Sequence, residues 1–304
     1  SQLDFSQNSV TVFGHQLQGD HATGGGNPGV GWGDTFNFSG GATYTIGNNP
    51  AIDGHFRWVR KTSNVEMSDI GEQKGRDWHG MRGTNGPDLV EGGTPWFDLD
   101  GYTDLGTIED FMPYYRDDDQ YQLVANVTWM KGSHNLRFGS DVYRTGMNHI
   151  QPEILDDSFG SRGGFNFNAG PTQLRGGPGG TNFNSFGSFL LGLPSEAGRL
   201  RLNVQPYTTR SWQYSFYVRD QWQVNPRMTL SFGTRYEYFP IPTRADRGLE
   251  RYNLDTNMME IGGLDGVPQD LGVKMQKNLF SPRVGLTFRL AESASWSGVD
   301  GRVV

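Results

Sequence analysis

The chain has 304 residues, enough for one large domain or two ordinary ones. Only 35% of them are hydrophobic, the mean hydropathy is −0.60, and no run of about 18 apolar residues occurs, which excludes a bundle of membrane helices. A net charge of −7 and the absence of cysteine argue against nucleic acid as a partner and exclude both a disulfide framework and a thiolate metal site.

Aromatic residues nevertheless reach 13%, more than a disordered polar chain carries, and 44 glycines with 15 prolines point to many turns and long connections. The first residue is Ser1, and no charged segment followed by an apolar one comes after it. The expectation drawn from the strand pattern below is that the chain's beginning has been cut away.

In chain order, Gly24-Gly25-Gly26-Asn27-Pro28-Gly29 fits a dinucleotide-loop spacing, but Pro28, Gly31 and Gly33 forbid the helix such a site needs, so a loop is expected. Period-2 alternation follows. Phe36, Phe38, Ala42, Tyr44 and Ile46 alternate with Asn37, Ser39, Thr43 and Thr45, and after Gly47-Asn48-Asn49-Pro50 the pattern returns as Ile52, Phe56 and Trp58. A second pair sets Tyr121, Leu123, Ala125, Val127 and Trp129 against Gln122, Asn126 and Thr128, then Leu136, Phe138 and Val142 against Arg137, Gly139 and Asp141. A third pair, joined at Asn225-Pro226, carries Trp212, Tyr214, Phe216, Val218, Trp222 and Val224, then Met228, Leu230, Phe232, Tyr236 and Tyr238. Val284, Leu286 and Phe288 mark a last strand. The total is roughly seven strands.

Their length is informative. The 14 alternating positions from Ser211 to Val224 extend about 48 Å, or roughly 33 Å when tilted by about 45°, enough to cross a hydrocarbon layer. Connections within pairs are short, whereas residues 68–117, 151–206 and 243–279 are long and rich in Gly, Pro, Asp and Asn. A compact soluble domain does not tolerate such long structureless loops, but an outer-membrane barrel has short periplasmic turns and long outer loops.

Period 2 by itself leaves open whether the apolar side meets a protein core or lipid. The aromatic content of that side and its clustering near strand ends favour lipid, because amphipathic rings settle at the headgroup level. Trp129, Trp212, Tyr214, Phe216, Trp222, Phe232, Tyr236 and Tyr238 are therefore the candidate lipid-facing or girdle residues. Arg137, Asp141, Arg219, Arg235 and Glu237 are the candidate lumen-facing residues, since charge is cheap against water and costs about 2 to 4 kcal/mol for Arg at mid-depth in lipid. Two residues break the pattern. Asp220 lies on the apolar parity, where a near-interface position or a bulge is expected to accommodate it, and Tyr217 lies on the polar one.

PYTTRSWQYSFYVRDQWQVNPRMTLSFGTRYEYFPIPTRADRGLERY at 206–252, KGSHNLRFGSDVYR at 131–144, GGFNFNAG at 163–170, FNSFGSFLLGLP at 183–194 and LFSPRVGLTFRL at 279–290 together resemble TonB-dependent outer-membrane receptors of the Oar-like kind. Genes of that family often add a carboxypeptidase-regulatory-like domain. The resemblance implies a 22-stranded barrel around an N-terminal plug, driven by the inner-membrane TonB complex through a TonB box, with outer-membrane lipid around it and a ligand at its outer loops. Plug, TonB box and signal peptide are not among these residues, so residues 1–290 are expected to be an internal part of such a barrel. Residues 291–304 depart from the family's pattern and read as a truncation or frame artefact.

Other chemistries find little footing. The six histidines are scattered, and no H-E-x-x-H or nucleophile elbow occurs. Asp98, Asp100, Asp104 and Glu109 resemble a calcium loop, but Tyr102 and Thr103 occupy positions that should be a ligand and a glycine. Asp117-Asp118-Asp119 reads as a solvated loop, and FGSFLLGLP at 186–194 as a short apolar helix or a loop plug near the rim. The acidic loops 98–119 and 153–157 with Arg244, Arg247 and Arg251 are open to ligand contact or to solvation alone.

The expected fold class is thus all-β: an antiparallel transmembrane β-barrel, partial, with long outer loops. The expected function is uptake of an unidentified ligand, with no enzymatic activity, no cofactor and no nucleic acid. A passive porin or surface adhesin on a similar barrel, or a soluble secreted glycan-binding β-sandwich, are the alternatives.

Overall fold

The computed structural model describes residues 2–13, 29–47, 49–106, 112–152, 159–175, 180–201 and 206–289. Eight strands form one sheet: β1 (Gln2–Phe13), β2 (Gly29–Thr45), β3 (Ala51–Met67), β5 (Tyr114–Lys131), β6 (His134–Ile150), β9 (Tyr207–Asn225), β10 (Met228–Tyr238) and β13 (Phe280–Phe288). Every neighbouring pair is antiparallel, and spatial order follows chain order. Alternating β-branched and aromatic residues supply the pleated, half-buried surface these strands need. The tight turns sit where glycine can take positive φ, at Gly47 (φ 60°) and Gly132 (φ 58°).

The seven expected strands become eight, because Gln2–Phe13 pairs along β2. The strands are also longer than the alternation alone suggested. β5 begins at Tyr114, so Asp117-Asp118-Asp119 belongs to a strand paired with Lys61 and Arg60 of β3 rather than to a solvated loop. β9 has 19 residues, about 65 Å of extended chain, well beyond the roughly 25 Å apolar band of an outer-membrane barrel. No described strand pairs with the free edges of β1 and β13, and the sheet is open.

The short turns 46–50, 132–133 and 226–227 lie at one end of the sheet, and the connections 68–113, 151–206 and 239–279 at the other. The long connections are not structureless. β4 (Trp96–Leu99) runs parallel to β7 (Gly164–Phe167), which pairs antiparallel with β8 (Glu196–Gly198). Phe97, Leu99 and Phe167 form a core there with Met81, Leu105, Phe165 and Phe189. α1 (Asn182–Leu190) is closed by a capping box between Thr181 and Asn184 and sets Phe189 edge-on to Phe97 and Phe167. Within the apolar stretch, residues up to Leu190 are thus a helix whose outer side, including Phe183 and Leu190, is exposed, while 191–194 leave it as a turn.

Polar ties knit the same cap. Asp69 accepts from the Thr94 amide at 2.8 Å and the Thr94 hydroxyl at 2.7 Å, with Lys74 Nζ 3.5 Å away. Asn85 donates to the carbonyls of Glu91 and Gly93, both at 2.9 Å, and its amide bonds to the Arg162 carbonyl. Arg162, 1% exposed, donates to the Met112 carbonyl at 3.0 Å. The buried apolar residues of the described chain (Met67, Val90, Phe97, Leu99, Met112 and Phe167) all lie at or beyond this end of the long strands. The usual interior of a protein is found here in the loops, and among the described residues nothing packs over either face of the main sheet.

The third long connection holds a hairpin of β11 (Glu250–Asn253) and β12 (Met258–Ile261).

Candidate functional site

Directly paired residues in an antiparallel sheet share a face, as do residues two apart on a strand. The register therefore sorts the wall without ambiguity. Ile52, Val127, Phe138 and Val218 form one row, and Phe56, Leu123, Val142 and Tyr214 a second, the latter extended by Tyr238. Trp129, Trp212, Tyr214, Phe216, Trp222, Phe232, Tyr236 and Tyr238 all fall on this apolar face. Arg137, Asp141, Arg219, Arg235 and Glu237 all fall on the opposite one.

The apolar face is uncovered. Phe56, Leu123, Phe138, Phe216, Val218 and Phe232 are exposed, and Val284 reaches 80%. On the polar face Asn126 and Ser215 are buried. An apolar surface of this extent on a soluble monomer marks contact with a membrane or another protein.

Rings bound the apolar band at both ends. Near the short turns, Lys131 lies 5.2 Å over the Trp129 ring, and two strands away Trp222 stacks on His134 with centroids 5.4 Å apart. Toward the long connections, Trp58, Tyr121, Arg144 and Trp212 form one row across four strands. The Arg144 guanidinium is held between Tyr121 at 5.6 Å and Trp212 at 5.5 Å. From Trp212 to Trp222 is about 34 Å along the strand, or about 24 Å at a 45° tilt, close to the apolar band of outer-membrane barrels. Beyond this upper row the same face turns charged, with Arg60 opposite Asp119.

Asp220 shares the apolar face, 6% exposed, and its Oδ2 lies 2.6 Å from His134 Nδ1. No bulge occurs there; the only register shift between β9 and β10 lies at Met228/Thr229. The His134 imidazole is the polar partner that accommodates Asp220 on this face. Tyr217 fits the polar face because its hydroxyl donates to Asn126 Oδ1 at 2.7 Å while its ring covers Gly139, where a Cβ would meet Tyr217 Cε1 at 2.2 Å.

Most polar-face groups are already engaged. Asn126 donates to Asp53 at 2.7 Å, Gln122 to Asp141 at 3.1 Å, and Arg235 to Glu237 at 2.8 Å. Arg137, Arg219, Arg235 and Arg283 line a trough of about 700 Å³ with Tyr217 and Gln221. Sequence reasoning named the first three as wall residues; that Arg283 stands in one row with Arg137 and Arg219 needed the β10–β13 register.

The loop candidates are largely consumed by internal contacts. Arg244 donates to Glu250 at 2.8 Å and covers the Tyr207 ring at 3.5 Å; Arg247 bonds the same carboxylate at 3.0 Å, and Arg251 pairs with Glu260. The Arg244 hydrogen bond, reinforced by Arg247 and opposed by partial burial, holds Glu250 below the usual carboxylate range. Asp104 accepts from Trp96 Nε1 at 3.1 Å. Among the described residues no group of three or more His, Asp or Glu is placed to hold a metal ion, and no helix is long and apolar enough to cross a membrane, which does not bear on crossing by strands. His15, His21, Glu109, the glycine run at 24–28, the acidic residues 153–157 and the tail from 291 onward lie outside the described residues.

A long-stranded antiparallel sheet, apolar on one side, charged on the other and ringed by aromatics, is the wall of a membrane β-barrel. The family model described as "Outer membrane beta barrel domain" matches residues 3–297, and the chain belongs to that family, whose place is the outer membrane. No curated protein and no solved structure matches it.

Proposed function

We propose that the chain forms part of the wall of a TonB-dependent receptor that takes up a ligand too large to diffuse through a pore. The carrying observation is the inverted polarity of one sheet: the rings and aliphatic groups around Phe216, Val218 and Phe232 are exposed, while Asn126 and Ser215 opposite are buried. In this reading the apolar face meets lipid and the face carrying Arg137, Asp141, Arg219, Arg235 and Glu237 meets a water-filled lumen.

Lipid offers no partner to an unpaired strand edge. The open edges of β1 and β13 therefore pair, in the assembled barrel, with further strands, as a barrel larger than eight strands requires. The receptor reading is favoured over a passive porin by the sequence resemblance at 131–144 and 206–252 and by the long connections, which pack into a cap with its own core. Loops built in this way suit capture of a ligand at the outer rim better than an unobstructed mouth does.

The test places the intact gene product in planar lipid bilayers and on a surface bearing the periplasmic domain of TonB. The receptor reading expects capture by TonB and no steady ionic current. A steady current without capture identifies a porin, and neither current nor capture identifies a surface adhesin.

A further inference from the structure

We propose that Arg137, Arg219 and Arg283 form an oxyanion site on the polar face, taking a soluble solute that carries two or more phosphate or carboxylate groups. The proposal rests on that face lining the lumen.

Arg137 is the direct cross-strand partner of Arg219, Arg219 of Gly233, and Gly233 of Arg283, so three guanidinium groups stand in one row across four strands. Like charges set directly opposite destabilise a sheet. The chain has 33 acidic residues against 26 Lys and Arg, yet none among the described residues answers this row. The nearby acids are engaged elsewhere, Asp141 with Gln122 and Glu237 with Arg235. The guanidinium groups of Arg137, Arg219 and Arg283 have no hydrogen bond or ion pair within the described residues, and Arg137 Nε is buried without a partner. Asp220, beside Arg219 in sequence, points to the opposite face and is bound to His134.

A buried donor left unmade costs about 1 to 3 kcal/mol. Persistence of that cost beside two further unpaired cations indicates that a ligand supplies the missing acceptors. The spacing limits what the ligand is. The paired Arg137 and Arg219 backbones stand about 5 Å apart, so one oxyanion can bridge them, and Arg283 lies two strand spacings, about 10 Å, from Arg219. Gly233 between them carries no side chain, and none fits, since a Cβ would lie 2.4 Å from the Val218 carbonyl oxygen. The row thus flanks a gap in the 700 Å³ trough wide enough for a second anionic group. Arginines lining a pore are the arrangement that selects phosphate and other anions.

The test uses the intact gene product folded in lipid bilayers, with inorganic pyrophosphate as probe and binding read by calorimetry. Saturable binding is expected, weakening about tenfold for each of Arg137→Gln and Arg219→Gln, with a shallower salt dependence in both. Arg57→Gln, on the same face but outside the row, should leave affinity unchanged. Absence of saturable binding, or equal weakening by Arg57→Gln, overturns the proposal. A parallel arm labels Arg283→Cys with a membrane-impermeant thiol reagent. Labelling without pyrophosphate binding rejects the oxyanion site while keeping the lumen orientation, and no labelling rejects the orientation itself.

Discussion

Asp220 and His134 form a polar pair on an otherwise apolar surface, Oδ2 to Nδ1 2.6 Å, joined across the β6–β9 boundary. Trp222 lies flat on the same imidazole. The pair should behave as a unit, because removing one member leaves the other unpaired on an apolar face. His134→Leu is expected to destabilise the folded barrel by about 2 kcal/mol, a value reduced by the partial exposure of the imidazole. The double variant His134→Leu/Asp220→Leu should recover most of that loss. Urea unfolding in lipid vesicles followed by tryptophan fluorescence checks both; additive losses would contradict the coupling.

The opposite face offers a companion experiment. Asn126 links Tyr217 and Asp53 across β3, β5 and β9 through two 2.7 Å hydrogen bonds, spanning the gap over Gly139. Asn126→Leu strands both neighbours and is expected to cost about 1 to 3 kcal/mol, whereas Tyr217→Phe removes one donor and costs about 1 kcal/mol. The same unfolding assay distinguishes them by the order of their midpoints.

In the cap, the Phe97 ring is stacked on Phe165 at 5.5 Å and is met edge-on by Phe189. Phe97→Ala should loosen it by about 3 to 5 kcal/mol without touching the wall. Limited proteolysis is the readout: cleavage within 68–106 and 159–201 should accelerate while the eight-stranded sheet stays resistant. Equal loss of both would mean that cap and wall unfold together.

Acid should loosen the third loop. Glu250 is held below its ordinary value of 4.5, first by the Arg244 hydrogen bond and also by Arg247, with burial opposing. A carboxylate whose folded pKa is depressed contributes stability that is complete above its unfolded value and lost as pH falls through the folded one. Amide protection across 244–262, taken relative to the intrinsic exchange rate at each pH, should therefore hold steady down to about pH 4.5 and fall below it, and Arg244→Ala should weaken that dependence while Arg247 keeps part of it. Unchanged exchange in the variant would count against the pair.

What could be read from the sequence follows from the range of each signal. Period-2 alternation and turn glycines are local, so the wall strands from Phe36 to Phe288 and both faces of β9 and β10 were legible. β1 was missed because Gln7, Ser9 and Thr11 interrupt its alternation, and what makes it a strand is pairing with β2, a neighbour across the undescribed connection 14–28. The cap left no trace in periodicity: Asn85 meets Arg162 and Phe97 meets Phe189 across long stretches of chain. The same holds for Asp220, whose partner lies 86 residues away. The charges of Arg137 and Arg219 were visible in the sequence, but that they are direct neighbours is a property of register.

The central claim is that consecutive residues of β9 face opposite solvents. Because the chain contains no cysteine, Val218→Cys and Arg219→Cys each give a unique attachment point for a fluorophore, and both native side chains are exposed. With the protein in vesicles, the probe at 218 should be quenched by brominated lipid and spared by aqueous iodide, and the probe at 219 should show the reverse. Iodide quenching at both positions, or at 218 alone, would contradict the account.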